Sequence, residues 1–380
     1  MWLMTITSWF ILRLRKNAAI IDPVLNGKHS EGDFMSVRDV PTVVFFNRWT
    51  HKDGHALIKD NTGINIRQLN WDAPEQENWP ELSMAHGYQI SSARQELPLK
   101  YHVRTEFLLR CPKLLVVSAD GAGYDTVDVD ACTEAGVIVV NQSGANREAV
   151  AEHVLGMMLC LSKRMIEMDR VLRRKRGWHR NDFIGNDILE KTVGIIGLGN
   201  IGTRLTELCI GLFGAKVLAY DPYLTEEQIV ARGAEPVTFT ELLLSSDFVS
   251  VNCPLTAETR GMINSEALAQ MKSSAYFVTT ARGGIHDEAA LVHALETGKI
   301  RGAGVDVWVD EPPSTDHALI GMDNVILTMH TAGITEEARR SAGIWAADQW
   351  AAIWRGEKPP RLINPEAWPL YKSRFRETFL

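Results

Sequence analysis

Short apolar runs alternate with stretches of helical periodicity through most of this chain. After Pro41, "TVVFF" reads as a buried strand, and "PKLLVVSADGAG" as another that ends in glycines and leads into "VDVDACTEAGVIVVN". Helical segments such as "YHVRTEFLLRC" lie between them, and the alternation predicts an α/β unit on a parallel sheet. Next, "NREAVAEHVLGMMLCLSKRMIEMDRVLRR" spaces Val150, Val154, Met157, Met158 and Leu161 by threes and fours, predicting one long helix that passes between two domains, its methionines filling core space. The central runs "KTVGIIGLG", "AKVLAYD", "DFVSVNC", "SAYFVTTA", "GAGVDVW" and "NVILTMH" predict six strands joined by helical crossovers, a doubly wound sheet. Finally, "EEARRSAGIWAADQWAAIWRGEKPP" predicts a return helix closed by Gly356 and a proline pair, with Trp350 and Trp354 packing on the first domain.

Composition narrows this picture only a little. The 380 residues suffice for two ordinary domains, and 45% hydrophobic with 23% charged residues is a typical soluble balance. A net charge of −7 without a long Lys/Arg block argues against nucleic acid or an anionic membrane as partner; the basic stretch "RVLRRKRGWHR" reads as a solvated helix face running into a loop. Five cysteines with no C-x-x-C spacing suggest neither a disulfide framework nor a zinc site, and fit a reducing cytoplasm. The opening "MWLMTITSWFILRLRKN" has an apolar run too short to span a bilayer and no cleavage pattern. Residues 1–37 are therefore expected to be a poorly ordered extension, with the folded region beginning near Met35.

"VGIIGLGNIGTRLTELC" sets Gly197, Gly199 and Gly202 in G-x-G-x-x-G spacing between a strand and a helix. In that context the first glycine allows a tight turn, the second a close approach of backbone to a pyrophosphate, and the third close helix packing. Asp221 follows at the end of the next strand, nineteen residues after Gly202 (221 − 202), where a carboxylate accepts from ribose hydroxyls and repels a 2′-phosphate. NAD is thus favoured over NADP, and no residue spacing suggests a metal.

Successive strand ends carry further chemistry: Arg282 in "FVTTARGG", Asp306 and Glu311 in "GVDVWVDEPP", and His330 in "VILTMHTAG". Ligands collect at the carboxyl ends of strands in open α/β sheets, and an arginine among small residues suits a guanidinium fork for a carboxylate. Taken singly, each also reads as an ordinary cap, loop charge or core histidine. With these motifs on the page, residues 90–365 resemble the NAD-dependent D-2-hydroxyacid dehydrogenases, through "GAGYDTVD", "GLGNIG", "YDPY", "NCPLTAETRGMIN", "TTARGG", "DEP" and "HTAG". The resemblance implies an α/β fold of two domains, a Rossmann-type doubly wound parallel sheet for NAD (147–339) and a smaller flavodoxin-like α/β substrate domain (38–146 with 340–380).

It also implies hydride transfer between NAD(H) and a D-2-hydroxy acid or 2-oxo acid, with Arg282 on the carboxylate and His330 with Glu311 as the acid/base pair. A carboxylate beside the imidazole orients it and favours its charged form. By the same resemblance the backbone at Ala122 and Gly123 meets the substrate, Asn200, Ile201, Pro254, Thr259, Thr280, Ala281 and Asp306 line the cofactor, and the chain forms a homodimer. Some relatives serve instead as NAD(H)-sensing corepressor scaffolds, which is the alternative function. Some features depart from the pattern, and one, Glu311, narrows it. Met329 stands where many relatives have proline, leaving an amide proton that needs a partner. Glu311 differs from the glutamine of formate dehydrogenases, and the chain ends without the regulatory domain of many phosphoglycerate dehydrogenases. In "FFNRWTHKDGH", Arg48, His51 and Lys52 read as an exposed charged loop, or as a contact for an anionic group on the substrate.

Overall fold

The structure, a computed structural model, describes residues 40–61, 63–174 and 178–380. The expected disordered extension 1–37 and the centre of the basic stretch lie outside the described residues. Two parallel sheets organise the rest. The first holds β1 (Thr42–Phe46), β2 (Asn65–Leu69), β3 (Gly87–Ile90), β4 (Val116–Ala119) and β5 (Ile138–Val140) in the order β2-β1-β3-β4-β5, the flavodoxin-like arrangement. β3, β4 and β5 are buried along their whole length, as strands covered by helices on both faces must be. β2, "NIRQL", is mostly exposed at the sheet edge, so its sequence carries no apolar run and the hydrophobic pattern misses it.

The second sheet holds β6 (Thr192–Ile196), β7 (Lys216–Tyr220), β8 (Glu235–Pro236), β9 (Phe248–Val251), β10 (Tyr276–Thr279), β11 (Gly302–Val305) and β12 (Val325–Leu327). Its order, β12-β11-β10-β9-β6-β7-β8, reverses direction at β6, which is the Rossmann-type switch point. All six expected strands are there. The seventh, β8, is two residues long and pairs with β7 at the edge, too short to leave a pattern.

The expected single helix between the sheets is two. Arg147–Ser162 ends at Lys163, and Met165–Arg174 starts after Arg164, which takes a left-handed φ of 54°. Such a conformation is uncommon for a residue with a Cβ, and tertiary contacts hold it: the Arg164 guanidinium donates to both Glu167 oxygens and to the Asp182 carbonyl at 2.7 Å. The return helix Glu336–Trp354 is capped by Thr335 and followed by Gly356 at φ 78°. It crosses the helix Lys52–Asn61 so closely that a Cβ on Gly54 would lie 2.1 Å from the Gly343 carbonyl oxygen. Trp350 is fully buried against Val43, Phe45 and Val140 of the first sheet, donates to Gln89 Oε1 at 2.7 Å and stacks on Trp354. The border expected between residues 339 and 340 thus falls inside a helix that packs on the first sheet. A further helix, Trp368–Phe379, closes that core with Tyr371 and Phe379; the sequence reading stops short of it.

Candidate active site

The carboxyl ends of both sheets face a shared cleft of about 1190 Å³. Along one wall the loop after β6 turns at Gly197, φ 88°, where a Cβ would press to 2.7 Å on the Cys253 amide. Gly199 opens onto free space, and a Cβ on Gly202 would strike the Gly197 carbonyl oxygen at 2.3 Å. The three glycines thus differ in what surrounds them: a tight turn at Gly197, open space at Gly199 and close packing at Gly202. Gly199 is also the N-cap of the helix Asn200–Phe213 and makes no side-chain cap, so the helix amides face an unobstructed wall suited to a pyrophosphate. Asn200 and Ile201 line the cleft, and the Asn200 amide reaches Ser143 Oγ of the opposite wall at 3.2 Å.

Asp221 follows β7 and accepts from the Leu198 amide at 2.9 Å and the Tyr223 amide at 3.1 Å, tying the glycine turn to the next strand end. Pro254, Thr280, Ala281 and Asp306 line the cleft. Thr259 has other commitments: its hydroxyl donates to the Pro254 carbonyl at 2.7 Å and accepts from the Thr256 amide at 2.8 Å, so it shapes the loop that carries Pro254. Asp306 is fully buried, and its carboxylate is bound by the Thr328 hydroxyl and by the Thr331 and Ala332 amides.

His330 follows β12 at φ 54°, its amide donating to the Asp306 carbonyl at 2.6 Å. Its Nδ1 lies 3.0 and 2.9 Å from the two Glu311 oxygens. An ionised carboxylate only accepts, so Nδ1 carries the proton and Nε2 is left as the reactive nitrogen. Burial pushes the Glu311 carboxyl up. The His330 hydrogen bond and charge, the Trp308 amide and Arg282 more than offset this and hold it below its ordinary value. Met329 is 79% exposed at the cleft margin, and the left-handed turn after it is fixed by Asp306 rather than by a proline.

The facing wall is the loop after β4. Ala122 and Gly123 line it, and a Cβ on Gly123 would lie 2.2 Å from Arg282 Nη2, so the guanidinium rests directly on this turn. Arg282 Nε donates to Asp125 Oδ2 at 3.1 Å and Nη1 to the Ala281 carbonyl at 2.7 Å. The fork expected to meet a carboxylate is therefore partly engaged by one of the protein's own. Asp125 was missed as a partner because nothing in local spacing links residues 157 apart. The charged loop after β1 divides in the same way. Arg48 lines the cleft, 3.7 Å from Glu96, whereas the His51 ring is buried between the Asp53 amide and Glu336, holding the loop to the return helix.

Residues 155–332 match the D-isomer specific 2-hydroxyacid dehydrogenase, NAD binding domain, family. The chain is 38% identical over 267 residues to a glyoxylate reductase of Korarchaeum cryptofilum, an alignment spanning 70% of this chain and 80% of that one. It belongs to the D-isomer specific 2-hydroxyacid dehydrogenase family. The match to a D-3-phosphoglycerate dehydrogenase of Mycobacterium leprae is 42% over 262 residues, 69% of this chain; the chain spans about half the length of that relative, 49%. Among solved structures, a D-lactate dehydrogenase from Aquifex aeolicus complexed with NAD and lactic acid superposes with a TM-score of 0.68 at 26% identity, over 89% of this chain and 98% of that one. The family's nicotinamide cofactor, NAD, fits the glycine turn and the Asp221 strand end of this member.

Proposed function

We propose that this family member interconverts a 2-oxo acid and a D-2-hydroxy acid with NAD(H). The observation that carries the reading is the His330–Glu311 pair at one strand end and Arg282 at another, in one cleft beside the glycine turn. The bound dinucleotide supplies or accepts the hydride at the C2 carbon. Asn200, Ile201, Pro254, Thr280, Ala281 and Asp306 line the wall that would hold it, with Gly197, Gly199 and Gly202 shaping the pyrophosphate turn, Asp221 on the adenosine ribose and Thr259 supporting Pro254.

Arg282 and the amides of Ala122 and Gly123 hold the substrate carboxylate, the guanidinium supplying charge and the turn supplying neutral donors. His330 Nε2 gives its proton to the C2 oxygen in reduction and takes it back in oxidation. Because substrate contacts come from both walls, binding draws them together and excludes water from the reacting carbon. Turnover of NADH with a panel of glyoxylate, hydroxypyruvate and phenylpyruvate, and of NAD with D-3-phosphoglycerate, tests the reading. No turnover across the panel would favour an NAD(H)-sensing protein that binds partners.

Replacing Glu311 by Gln lowers kcat for oxo-acid reduction by about 10-fold, the value of one lost hydrogen bond to a charged group. Burial pushes the Glu311 carboxyl up, but the His330 hydrogen bond and charge, the Trp308 amide and Arg282 hold it below its ordinary value, so it stands as the carboxylate that accepts from His330 Nδ1 on both oxygens. A glutamine amide can present its own N–H to that nitrogen and no longer fixes which ring nitrogen carries the proton. An unchanged kcat would separate Glu311 from proton transfer.

A cytoplasmic homodimer is part of the proposal. Among the described residues, Met165, Leu172, Trp178, Ile184 and Leu189 leave apolar side chains exposed over one stretch of the cofactor-side unit, which supports self-association there. Light scattering should give twice the mass of one chain, falling to one chain in an Ile184→Glu, Leu189→Glu variant; a monomeric wild type would dismiss the dimer.

A further inference from the structure

Beside the His330 turn, a part-buried polar chain begins on the helix Arg147–Ser162 and ends on Asp306 in the cleft wall. This helix presses onto β11 so closely that a Cβ on Gly304 would come within 2.8 Å of Met157 Sδ. One helical turn earlier, on the same face, is His153. Asp306 directly follows β11, two residues beyond Gly304 and therefore on the same side of the sheet. The two meet through β12: His153 Nε2 is 3.2 Å from Thr328 Oγ1, which in turn is 2.5 Å from Asp306 Oδ1.

Proton directions along this chain follow from chemistry. The Asp306 carboxylate only accepts, so the single hydroxyl proton of Thr328 goes to it, and the hydroxyl oxygen accepts from His153 Nε2–H. Asp306 then takes the Thr331 amide at 2.9 Å on one oxygen and the Ala332 amide at 3.0 Å on the other, while its carbonyl takes the His330 amide at 2.6 Å. Three consecutive amides, 330 to 332, are thus aimed at one buried residue, and this gathering keeps His330 in its left-handed conformation. Left-handed backbone is unfavourable for an imidazole-bearing residue, so the turn persists only while its amides stay occupied.

We propose that His153 is a positioning residue, which through Thr328 and Asp306 holds the turn that aims His330 at Glu311. The inference rests on the proton-transfer role proposed for His330, but it also makes a claim about the turn itself. His153 orients the Thr328 hydroxyl; with the imidazole gone, that hydroxyl is free to rotate, and the carboxylate loses its fixed partner. The proposal also explains why methionine serves before His330: the turn is organised by Asp306, so position 329 need not supply a rigid proline.

Two measurements test it in the full-length protein, on the variants His153→Ala, Thr328→Val and His153→Gln and on the double variant His153→Ala with Thr328→Val. The first is backbone amide exchange in the peptide spanning Val325 to Thr335, a readout that needs no substrate. Alanine and valine should speed exchange there by about 10-fold, the value of one lost hydrogen bond. Glutamine, whose amide reaches the position of Nε2, should restore slow exchange. The second is steady-state kinetics with NADH and the best oxo acid of the panel. kcat should fall about 10-fold for alanine and valine, with KM for the oxo acid within about 2-fold of wild type, and the double variant should be no worse than either single one. Recovery of kcat in His153→Gln is expected alongside. Unchanged exchange in His153→Ala overturns the proposal, whatever the activity. Additive losses of kcat, or a loss carried by KM alone, also overturn it. A wild type without turnover instead removes the proposed function and leaves the exchange result to decide the role of His153 in the turn.

Discussion

Replacing His330 by glutamine lowers kcat for oxo-acid reduction by about 10² to 10⁴-fold, the contribution of a positioned general acid, and leaves NADH affinity close to wild type. Glutamine is chosen because it preserves much of the imidazole's bulk and can still hydrogen-bond with Glu311, while supplying no group that exchanges a proton near neutral pH. Glu311 receives the ring on both oxygens, so the lost function is proton transfer rather than local packing. Nicotinamide fluorescence titration checks the second half of the expectation. Near-normal kcat with intact NADH binding would take His330 out of the reaction, and a matching loss of NADH affinity would make it a cofactor contact instead.

Much of the architecture was legible because the second sheet is built from runs of local, buried sequence. β6, β7, β9, β10, β11 and β12 each appear as short apolar segments, and their order follows from crossovers of ordinary length. What escaped notice lies at edges or depends on distant contacts. β2 is polar because one edge of it is solvated, and β8 has only two residues. The break at Arg164 leaves no glycine or proline to mark it, since the Asp182 carbonyl and Glu167 hold the residue in place.

The candidate site divides along the same line. Gly197, Gly199, Arg282 and His330 stand directly after strands, Gly202 in the first turn of the helix that follows β6, and Glu311 in the loop after β11, where residue type and position together imply their chemistry. The groups that set their geometry are remote in sequence. Asp125 reaches Arg282 across 157 positions, His153 reaches Thr328 across 175, and His51 reaches Glu336 across 285. No periodicity or spacing links such pairs. His51 shows the consequence: as a loop histidine it resembles a substrate contact, but its ring is spent on binding two elements of the first unit together.

Arg282→Lys lowers kcat/KM for the oxo acid by about 10²-fold, as the loss of one to two charge-assisted hydrogen bonds at about 1.5–3 kcal/mol each predicts, and leaves NADH affinity unchanged. The guanidinium has several tasks at once: Nε on Asp125, Nη1 on the Ala281 carbonyl, and Nη2 against the Gly123 turn where the substrate carboxylate is proposed to sit. A lysine keeps the charge in a single ammonium, which cannot hold Asp125 and a substrate carboxylate in the same planar arrangement. If the ammonium follows Asp125, the substrate loses its cation; if it follows the substrate, Asp125 is left with its charge beside a second carboxylate. Both routes weaken the transition state more than they weaken cofactor binding, because the glycine turn and Asp221 lie on other strand ends. Equal losses for oxo acid and NADH would mean that Arg282 serves the dinucleotide. A variant with undiminished kcat/KM would show that the amides of Ala122 and Gly123 suffice to hold the carboxylate.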